Sequence, residues 1–365
     1  MESQRWILQN QKAQPKEKNN YSTQGISIST IRLTCTIAVY FMYSFIELSK
    51  LFEQKFGVRH FPVHTPTLYD PAQYILQLGG KRIRPVCVLM GNELFDEINP
   101  DAYEVATAIE LFHNFSLIHD DIMDKAPLRR GMETVHTKYG ESTALLAGDV
   151  MLVQSYEYLN KIKRDYSQKI MQVFNETAKA VCEGQQLDMD FEKRTSVSLD
   201  QYVHMITLKT SVLLAASLQL GAILGGSGQG NQQHLYEFGK NLGIAFQVQD
   251  DFLDAFGDPD KFGKQVGGDI IANKKTFLMI HAMEVASEQQ KIELANLMQI
   301  SKINPAEKIN KVLTIFKDCK VDEWALQLKE KYVQIALQHL EDTAVLLNRK
   351  KPLMELAEYL IQRES

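Results

Sequence analysis

The sequence has few cysteines and no excess of basic residues. Its four cysteines, Cys35, Cys87, Cys182 and Cys319, form no CxxC pair and have no histidine at ligand spacing, which argues against a disulfide framework or a zinc site. A reducing cytoplasm is therefore the expected compartment. The formal net charge of −5 provides no broad positive field, so nucleic acid is not an expected partner.

No segment has the pattern of a signal peptide or a membrane-spanning helix. The apolar run within Ile31–Phe45 is shorter than the roughly 20 apolar residues that a spanning helix needs, and no small-residue cleavage site follows it. We therefore expect no stable membrane insertion. The polar start of residues 1–41 predicts a disordered or non-native extension. One hypothesis is that Met42 is the true start, which would make the first element an amphipathic helix.

Strand-like alternation between hairpin turns is also missing, which argues against a sheet. From Phe45 onward, apolar residues recur at spacings of three and four, a pattern typical of amphipathic helices. Two of the predicted helices cover Leu199–Leu224 and Glu323–Leu347. Because no composition break or repeat divides the chain, residues 42–365 are predicted to form a single-domain, all-α bundle of about ten long helices around a central cavity.

The first of two aspartate clusters contains Asp120, Asp121 and Asp124. On a helix, Asp120 and Asp124 lie one turn apart on the same face, where their carboxylates repel each other. Arg129 and Arg130 follow after a proline that ends the helix. Carboxylates followed by paired arginines indicate a site for a divalent metal and a phosphorylated ligand, although a solvated acidic helix end with a basic turn is the alternative.

The second cluster, Asp250, Asp251 and Asp254, repeats the DDxxD spacing at the end of another apolar helical pattern. Apolar neighbours such as Phe252 argue against a fully exposed helix. Two such clusters can face each other across a bundle and present many carboxylate oxygens, the ligands that Mg²⁺ prefers. The pair therefore predicts a magnesium site.

Cationic segments complement the aspartates. Gly79–Pro85 reads GGKRIRP, so two glycines end one helix and the cations Lys81, Arg82 and Arg84 gather near the N-terminus of the next, which favours anions. Lys209-Thr210 interrupts an apolar helix, a costly place for a lysine without an anionic partner. No Ser-His-Asp or Cys-His nucleophile group is evident. Further lysines follow the second cluster: Lys264, Lys274 and Lys275.

The segments GGKRIRP, DDIMD, LRRG, GQQLD, LKT, FQVQDDFLD, GK and NKKT occur in this order, and the chain from about Ser44 onward resembles the trans-isoprenyl diphosphate synthases, the polyprenyl synthetase family. The resemblance implies a homodimeric prenyltransferase that joins isopentenyl diphosphate head-to-tail to an allylic diphosphate and releases diphosphate. One alternative is a class I terpene cyclase, which would need neither GGKRIRP nor a second DDxxD. Another is a non-catalytic subunit of a heteromeric synthase.

The resemblance also implies a role for each matching residue. Asp120, Asp124 and Asp250 would bind three Mg²⁺ ions that hold the allylic diphosphate, and Asp121, Asp251 and Asp254 would support them. Thr210 and Gln247, with Lys209, would face the reacting carbon. The same allylic diphosphate would contact Arg129, Lys209 and Lys264, with Lys274 at its edge. Isopentenyl diphosphate would be held by Lys81, Arg84, His113 and Arg130.

Product length is predicted from the residues before the first cluster. The growing chain is expected to descend below Asp120, where Phe115 and Phe112 precede it by five and eight residues on roughly one face. Two bulky rings would stop elongation early, which favours a farnesyl or geranylgeranyl product. Ser116 adds some room and tilts the prediction towards geranylgeranyl. The alternative is that both rings are ordinary core residues.

Overall fold

The computed structural model describes residues 42–257, 266–299 and 303–362. Within them the chain is helical apart from short turns and one two-residue hairpin, so the all-α prediction is confirmed. The extension 1–41 and Lys264 lie outside the described residues. In chain order the elements are α1 Phe45–Phe56, α2 Pro66–Gln77, α3 Ile83–Glu93, α4 Pro100–Met123, β1 Leu128–Arg129, β2 Met132–Glu133, α5 Val135–Tyr139, α6 Glu141–Leu159, α7 Arg164–Lys193, α8 Leu199–Ile206, a π-helical turn Thr207–Ser211, α9 Val212–Leu224, α10 Gln229–Phe256, α11 Gly268–Ile271, α12 Phe277–Val285, α13 Glu288–Gln299, α14 Pro305–Asp318, α15 Val321–Asp342 and α16 Leu347–Ile361.

Helix α4 carries the first aspartate cluster at its C-terminal end. It starts at Pro100, which suits the first helical position, and Asn99 Oδ1 accepts a hydrogen bond from the Asp101 amide (3.0 Å) as an N-cap. Most of the helix is buried against α3 and α6. The cluster is therefore fixed at the end of a core helix rather than on a loop.

Helices α3 and α9 pack so closely that only glycine fits at their contacts. A Cβ atom at Gly91 would overlap the Leu218 carbonyl oxygen, and one at Gly221 would overlap the Val88 carbonyl oxygen. Every residue of α9 except Gln219 is buried. This close packing fixes the start of α3, where the GGKRIRP cations lie, relative to the turn that precedes α9.

The predicted helix Leu199–Leu224 is divided into α8 and α9 by the π-helical turn, which contains Lys209 and Thr210. The extra residue in a π turn redirects the side chains that follow it, and such turns are frequent at functional sites. This segment is long and apolar enough to cross a membrane by composition, yet 72% of its apolar window is buried inside the fold. Gly184 of α7 lies against the turn, and a Cβ atom there would overlap the Lys209 amide nitrogen.

Two local features differ from the sequence-based expectation. The predicted helix Glu323–Leu347 ends at Asp342, because Thr343 is extended and its Oγ1 donates to the His339 carbonyl (3.0 Å) before α16 begins. A short hairpin also follows α4. Strands β1 and β2 pair antiparallel around Arg130 and Gly131, both at positive φ, as a type I′ hairpin turn requires.

Candidate active site

The two aspartate clusters both lie at the C-terminal ends of helices. Asp120 and Asp121 are in the last turn of α4, Asp124 follows directly, and the second cluster occupies the last two turns of α10. A helix C-terminus is the negative end of the helix dipole, so carboxylates there need cationic compensation. Burial and the neighbouring Asp120 raise the pKa of Asp124. Both ends are therefore suited to cations.

Asp121 holds Arg129 in a bidentate ion pair. Arg129 Nε lies 2.8 Å from Asp121 Oδ2 and Nη2 lies 2.7 Å from Oδ1, while Asp121 is only 1% exposed. The same Nη2 is 3.6 Å from Asp120 Oδ2. Burial alone would lower the pKa of Arg129, but its bonds to Asp121 raise it. Hairpin β1–β2 thus delivers a charged guanidinium beside Asp120, and Asp121 fixes it there.

Lys209 connects three elements of the site. Its Nζ lies 2.6 Å from Asp188 Oδ2 on α7 and 3.2 Å from Asp120 Oδ1 on α4. Burial would lower the pKa of Lys209, but Asp120 and Asp188 outweigh it and raise the pKa. The costly lysine in an apolar helix therefore has the anionic partners that its position demands. Asp188 was not assigned a role from the sequence, although it is the last residue of the GQQLD segment.

A chain of hydrogen bonds positions Gln247. Thr210 Oγ1 donates to Gln247 Oε1 (3.3 Å), and Gln247 Nε2 donates to Asp251 Oδ1 (2.8 Å). The Tyr202 hydroxyl donates to the other oxygen of Asp251. Burial and the nearby Asp269 raise the pKa of Asp251 to about 8. Asp251 thus fixes the side chain of Gln247, and neither Tyr202 nor Asp269 was identified from the sequence.

Asp254 and Lys274 meet the short helix α11. The Asp269 amide donates to Asp254 Oδ2 (2.9 Å), so this aspartate caps the start of α11. Lys274 Nζ lies 3.7 Å from Asp269 Oδ1. Burial would lower the pKa of Lys274, but Asp269 and Asp188 raise it. Asp250 is half-buried on the same end of α10.

A second group of cations lies around His113 of α4. Arg84 Nη1 is 3.2 Å from His113 Nε2, and burial with the surrounding arginines holds the pKa of His113 well below its usual range. His113 is therefore neutral and accepts the bond through Nε2. Arg84 Nε is buried and makes no hydrogen bond among the described residues, which fits an anionic ligand. Arg130 donates to the Gly79 carbonyl, and its guanidinium packs on Gly80.

The remaining two cations of GGKRIRP have different surroundings. Lys81 is exposed, with its Nζ 5.7 Å from the Tyr359 ring centre. Arg82 is buried in a left-handed conformation and forms ion pairs with Glu53 and Glu110. Arg82 therefore stabilises the start of α3 from within the fold, and it is not available to a ligand.

Two cavities adjoin at Lys209 and Thr210. The smaller, about 130 Å³, has charged side chains such as Asp188 and Asp251 in its wall, together with Gln247. The larger, about 250 Å³, extends from Arg84, His113 and Asp120 past apolar side chains. The π-helical turn thus separates a charged chamber from a mostly apolar one, as a reaction of an apolar chain with a charged head requires.

The predicted chain-length residues occupy different depths. Phe115 and Ser116 line the larger cavity, and Ser116 Oγ donates to the His113 carbonyl (2.8 Å). Phe112 is 1% exposed and lies behind Phe115, and the centres of their two rings are 5.5 Å apart. The ring of Phe112 also packs against that of Phe174, with 5.3 Å between centres. Phe115 is therefore a wall of the cavity, whereas Phe112 supports that wall and does not form the floor directly.

Comparison with known proteins agrees with this geometry. A sequence model of the family described as polyprenyl synthetase matches residues 65–316. The chain belongs to the polyprenyl synthetase family. A geranylgeranyl diphosphate synthase of Methanosarcina mazei is 36% identical over 306 residues, covering 83% of this chain and 92% of that relative. A short chain isoprenyl diphosphate synthase of Methanothermobacter thermautotrophicus is 36% identical over 82% of this chain and 91% of its own.

A solved structure gives the same answer. A crystal structure of a geranylgeranyl pyrophosphate synthase superposes with a TM-score of 0.85 at 42% sequence identity, over 89% of this chain and 100% of that one. The resemblance drawn from the motifs is confirmed, and the chain is a trans-prenyltransferase of the polyprenyl synthetase family. The terpene cyclase and the non-catalytic subunit are not favoured.

Membership of the polyprenyl synthetase family implies Mg²⁺ dependence, and the residues fit that ion. Asp120 Oδ1 is buried, accepts no hydrogen bond among the described residues and faces Lys209 Nζ at 3.2 Å. Asp120, Asp124 and Asp250 offer oxygen ligands, which hard cations prefer. Unlike Asp120 Oδ1, both oxygens of Asp121 and of Asp251 accept hydrogen bonds from protein groups.

Proposed function

We propose that this protein is a short-chain synthase that adds isopentenyl diphosphate head-to-tail to an allylic diphosphate and forms geranylgeranyl diphosphate. The observation that carries the proposal is the position of Lys209-Thr210, where an aspartate-lined chamber meets an apolar cavity that Phe115 walls. The boundary between the two, where Lys209 meets Asp120 and Asp188, suits the diphosphate head, and the apolar side chains of the larger cavity suit the prenyl chain. The names of the relatives favour the same product.

The metal sites are part of this proposal. Asp120, Asp124 and Asp250 are proposed to bind three Mg²⁺ ions, with Asp121, Asp251 and Asp254 in supporting positions. When bound, these ions neutralise the negative charge that develops on the leaving diphosphate. Asp121 supports them by holding Arg129 beside Asp120. Asp254 supports them by fixing α11 against the end of α10.

The chain's own cations and dipoles divide between the two substrates. Arg129, Lys209, Lys264 and Lys274 contact the allylic diphosphate, so the bond between its first carbon and the diphosphate oxygen can break with charge stabilisation. Thr210 Oγ1 and Gln247 Oε1 turn weak dipoles towards the allylic cation, and the apolar cavity excludes water from it. Isopentenyl diphosphate is held by Lys81, Arg84, His113 and Arg130.

The final proton leaves without a side-chain base. After the isopentenyl double bond attacks the cation, the product carbocation must lose one proton. Neutral His113 already accepts from Arg84 through Nε2, and the carboxylates face the metal chamber. The released diphosphate, which stays in the charged chamber, is therefore the proposed proton acceptor.

The proposed assay separates this function from its alternatives. The purified full chain is incubated with Mg²⁺ and dimethylallyl, geranyl or farnesyl diphosphate, with and without isopentenyl diphosphate, and products are resolved by chain length. Elongation only with isopentenyl diphosphate, ending at geranylgeranyl diphosphate, supports the proposal. Cyclised product without it would indicate a terpene cyclase, and no turnover by the pure chain would indicate a non-catalytic subunit.

Three further features complete the proposal. The protein acts as a homodimer, which sedimentation of the purified chain would test. It works in the cytoplasm, in line with the predicted reducing compartment. Residues 42–365 form the single catalytic domain, so a chain that starts at Met42 should retain full turnover.

A further inference from the structure

Two histidines and an aspartate converge far from the aspartate clusters. His234 lies near the start of α10, and His339 and Asp342 lie in the last turn of α15; one ligand atom from each lies within 4.8 Å of the others. His234 and Asp250 are 16 residues apart on α10, so this group lies about 24 Å along the helix from Asp250. We infer that His234, His339 and Asp342 form a second metal site, specific for a borderline transition ion such as Zn²⁺.

The spacing of the two rings fits one shared ion. His234 Nδ1 and His339 Nδ1 lie 3.3 Å apart, with the ring planes inclined at 47°. Two nitrogens bound tetrahedrally to zinc at 2.0–2.1 Å would be separated by about 3.3–3.4 Å. The rings are half-buried between two packed helices, so little side-chain freedom remains to be lost when an ion binds.

The third ligand comes from the same helix face as the second. His339 and Asp342 are three residues apart on α15 and therefore lie side by side. Asp342 is exposed, and its Oδ1 accepts from Gln338 Nε2 (3.0 Å), so its other oxygen can turn towards the histidines. Two imidazoles, one carboxylate and one water complete a tetrahedral zinc sphere.

The backbone around the site is already fixed. The Ala344 amide donates to Asn231 Oδ1 (2.9 Å), which joins the turn after α15 to the first turn of α10. Thr343 Oγ1 donates to the His339 carbonyl (3.0 Å). An ion at this point would bridge the N-terminal end of α10 to the C-terminal end of α15. It would clamp the end of α10 opposite to the one that carries Asp250.

The chemistry separates this site from the catalytic one. Imidazole nitrogen suits zinc and related ions, whereas Mg²⁺ prefers oxygen ligands only and keeps several waters. Excess Mg²⁺ should therefore occupy the proposed site at Asp120, Asp124 and Asp250 and leave the histidine site open to zinc. The alternative is that the two rings share one N–H···N hydrogen bond and bind no ion.

The test uses full-chain protein without an affinity tag, stripped with a chelator and held in excess Mg²⁺. Zinc affinity is measured by competition with a chromophoric chelator, and the melting temperature is recorded with and without ZnCl₂. We expect one zinc per chain and a melting temperature that rises by a few degrees with zinc concentration, since the ion binds only the folded state. Cobalt in place of zinc should give the visible absorption of a tetrahedral site.

Variants assign the ligands. His234→Gln and His339→Gln should each weaken zinc binding by at least about 100-fold, because even the loss of a ligand's partner changes affinity by about 10–100-fold. Asp342→Asn changes an exposed residue and should weaken binding without affecting the metal-free fold. The control, His64→Gln, alters an exposed histidine on another part of the chain and should bind like the wild type.

Two results would overturn the inference. One is the absence of stoichiometric zinc binding by the wild type. The other is zinc binding that persists unchanged in both histidine variants, which would assign the ion to the two DDxxD clusters. A cooperative melting transition of each variant in the presence of chelator shows that the variant is folded. If a histidine variant fails to fold, the zinc affinity of Asp342→Asn still tests the site, because that substitution changes an exposed residue.

Discussion

Tyr202→Phe removes one oxygen atom that links α8 to the catalytic end of α10. The hydroxyl donates to Asp251 Oδ2, while Gln247 Nε2 holds Oδ1 at 2.8 Å. Phenylalanine keeps the ring that packs against Phe277, 6.2 Å away between centres. The substitution therefore leaves the packing in place and deprives one buried oxygen of its partner.

The magnitude follows from the burial of Asp251, which is 5% exposed. An unsatisfied buried acceptor costs about 1–3 kcal/mol, so the free energy of unfolding should fall by about that amount. Asp251 would then shift to regain a donor, and Gln247, which it holds, would shift with it. If about 1.4 kcal/mol of that loss reaches the transition state, kcat falls about tenfold. KM should change little, because Gln247 is proposed to face the reacting carbon and not to hold the diphosphates.

A matched control is present in the same chain. The Tyr166 hydroxyl donates to Asp101 Oδ2 at the start of α4, and Asp101 lies about 29 Å along that helix from Asp120. Tyr166→Phe also removes a tyrosine–aspartate hydrogen bond, but Asp101 Oδ2 keeps the Lys163 amide as a donor (2.9 Å), so this variant should lose less stability and keep its kcat. Steady-state kinetics and urea unfolding of both variants provide the comparison. A kcat for Tyr202→Phe within twofold of the control would refute the coupling through Asp251 and Gln247.

Three further predictions address the cavity, the π turn and pH. Phe115→Ala should shift the product to longer chains because it removes the wall of the larger cavity; unchanged product lengths would exclude Phe115 from that role. Gly184→Ala should destabilise the fold by about 1–3 kcal/mol or more, since its Cβ would overlap the Lys209 amide nitrogen, whereas Gly230→Ala has open space and should not; equal unfolding midpoints would contradict this. Burial lowers the pKa of His60, whose ring bonds the Phe56 carbonyl and the Tyr158 hydroxyl. As pH falls, this histidine is therefore protonated in the unfolded chain before it is protonated in the folded one. The free energy of unfolding should decrease as pH drops below about 6.5, and it should depend less on pH in His60→Gln.

The aspartate clusters were identifiable from the sequence because their signal is local. DDxxD on an apolar helix places like charges together at a known spacing, and the repeat of that spacing indicates a shared ion. The cations nearby were identified for a similar reason. Lys209 in particular was conspicuous as a charge within an apolar helix, and the structure supplies its anionic partners, Asp120 and Asp188.

The positioning residues could not be found in the same way. Tyr202, Asp188 and Asp269 act on groups that lie 49, 21 and 18 residues away in sequence, and each sits in a helix whose pattern is ordinary. Asp188 alone had a signal, because it ends the GQQLD segment. The His234–His339 pair spans 105 residues, so it too becomes visible only when α10 and α15 are packed.

The two DDxxD clusters have the same spacing but different electrostatic roles. The middle one of the three aspartates in the first cluster, Asp121, binds a guanidinium. The middle aspartate of the second cluster, Asp251, accepts hydrogen bonds from the neutral side chains of Tyr202 and Gln247. Each middle aspartate thus fixes one side chain that is proposed to meet substrate: Arg129 for the charged head and Gln247 for the reacting carbon. Only a guanidinium partner brings a charge that balances its carboxylate, which accords with the raised pKa of Asp251. A repeated motif therefore produces two unlike supports, because the partner that folding supplies to the middle residue, rather than the motif, determines what that residue does.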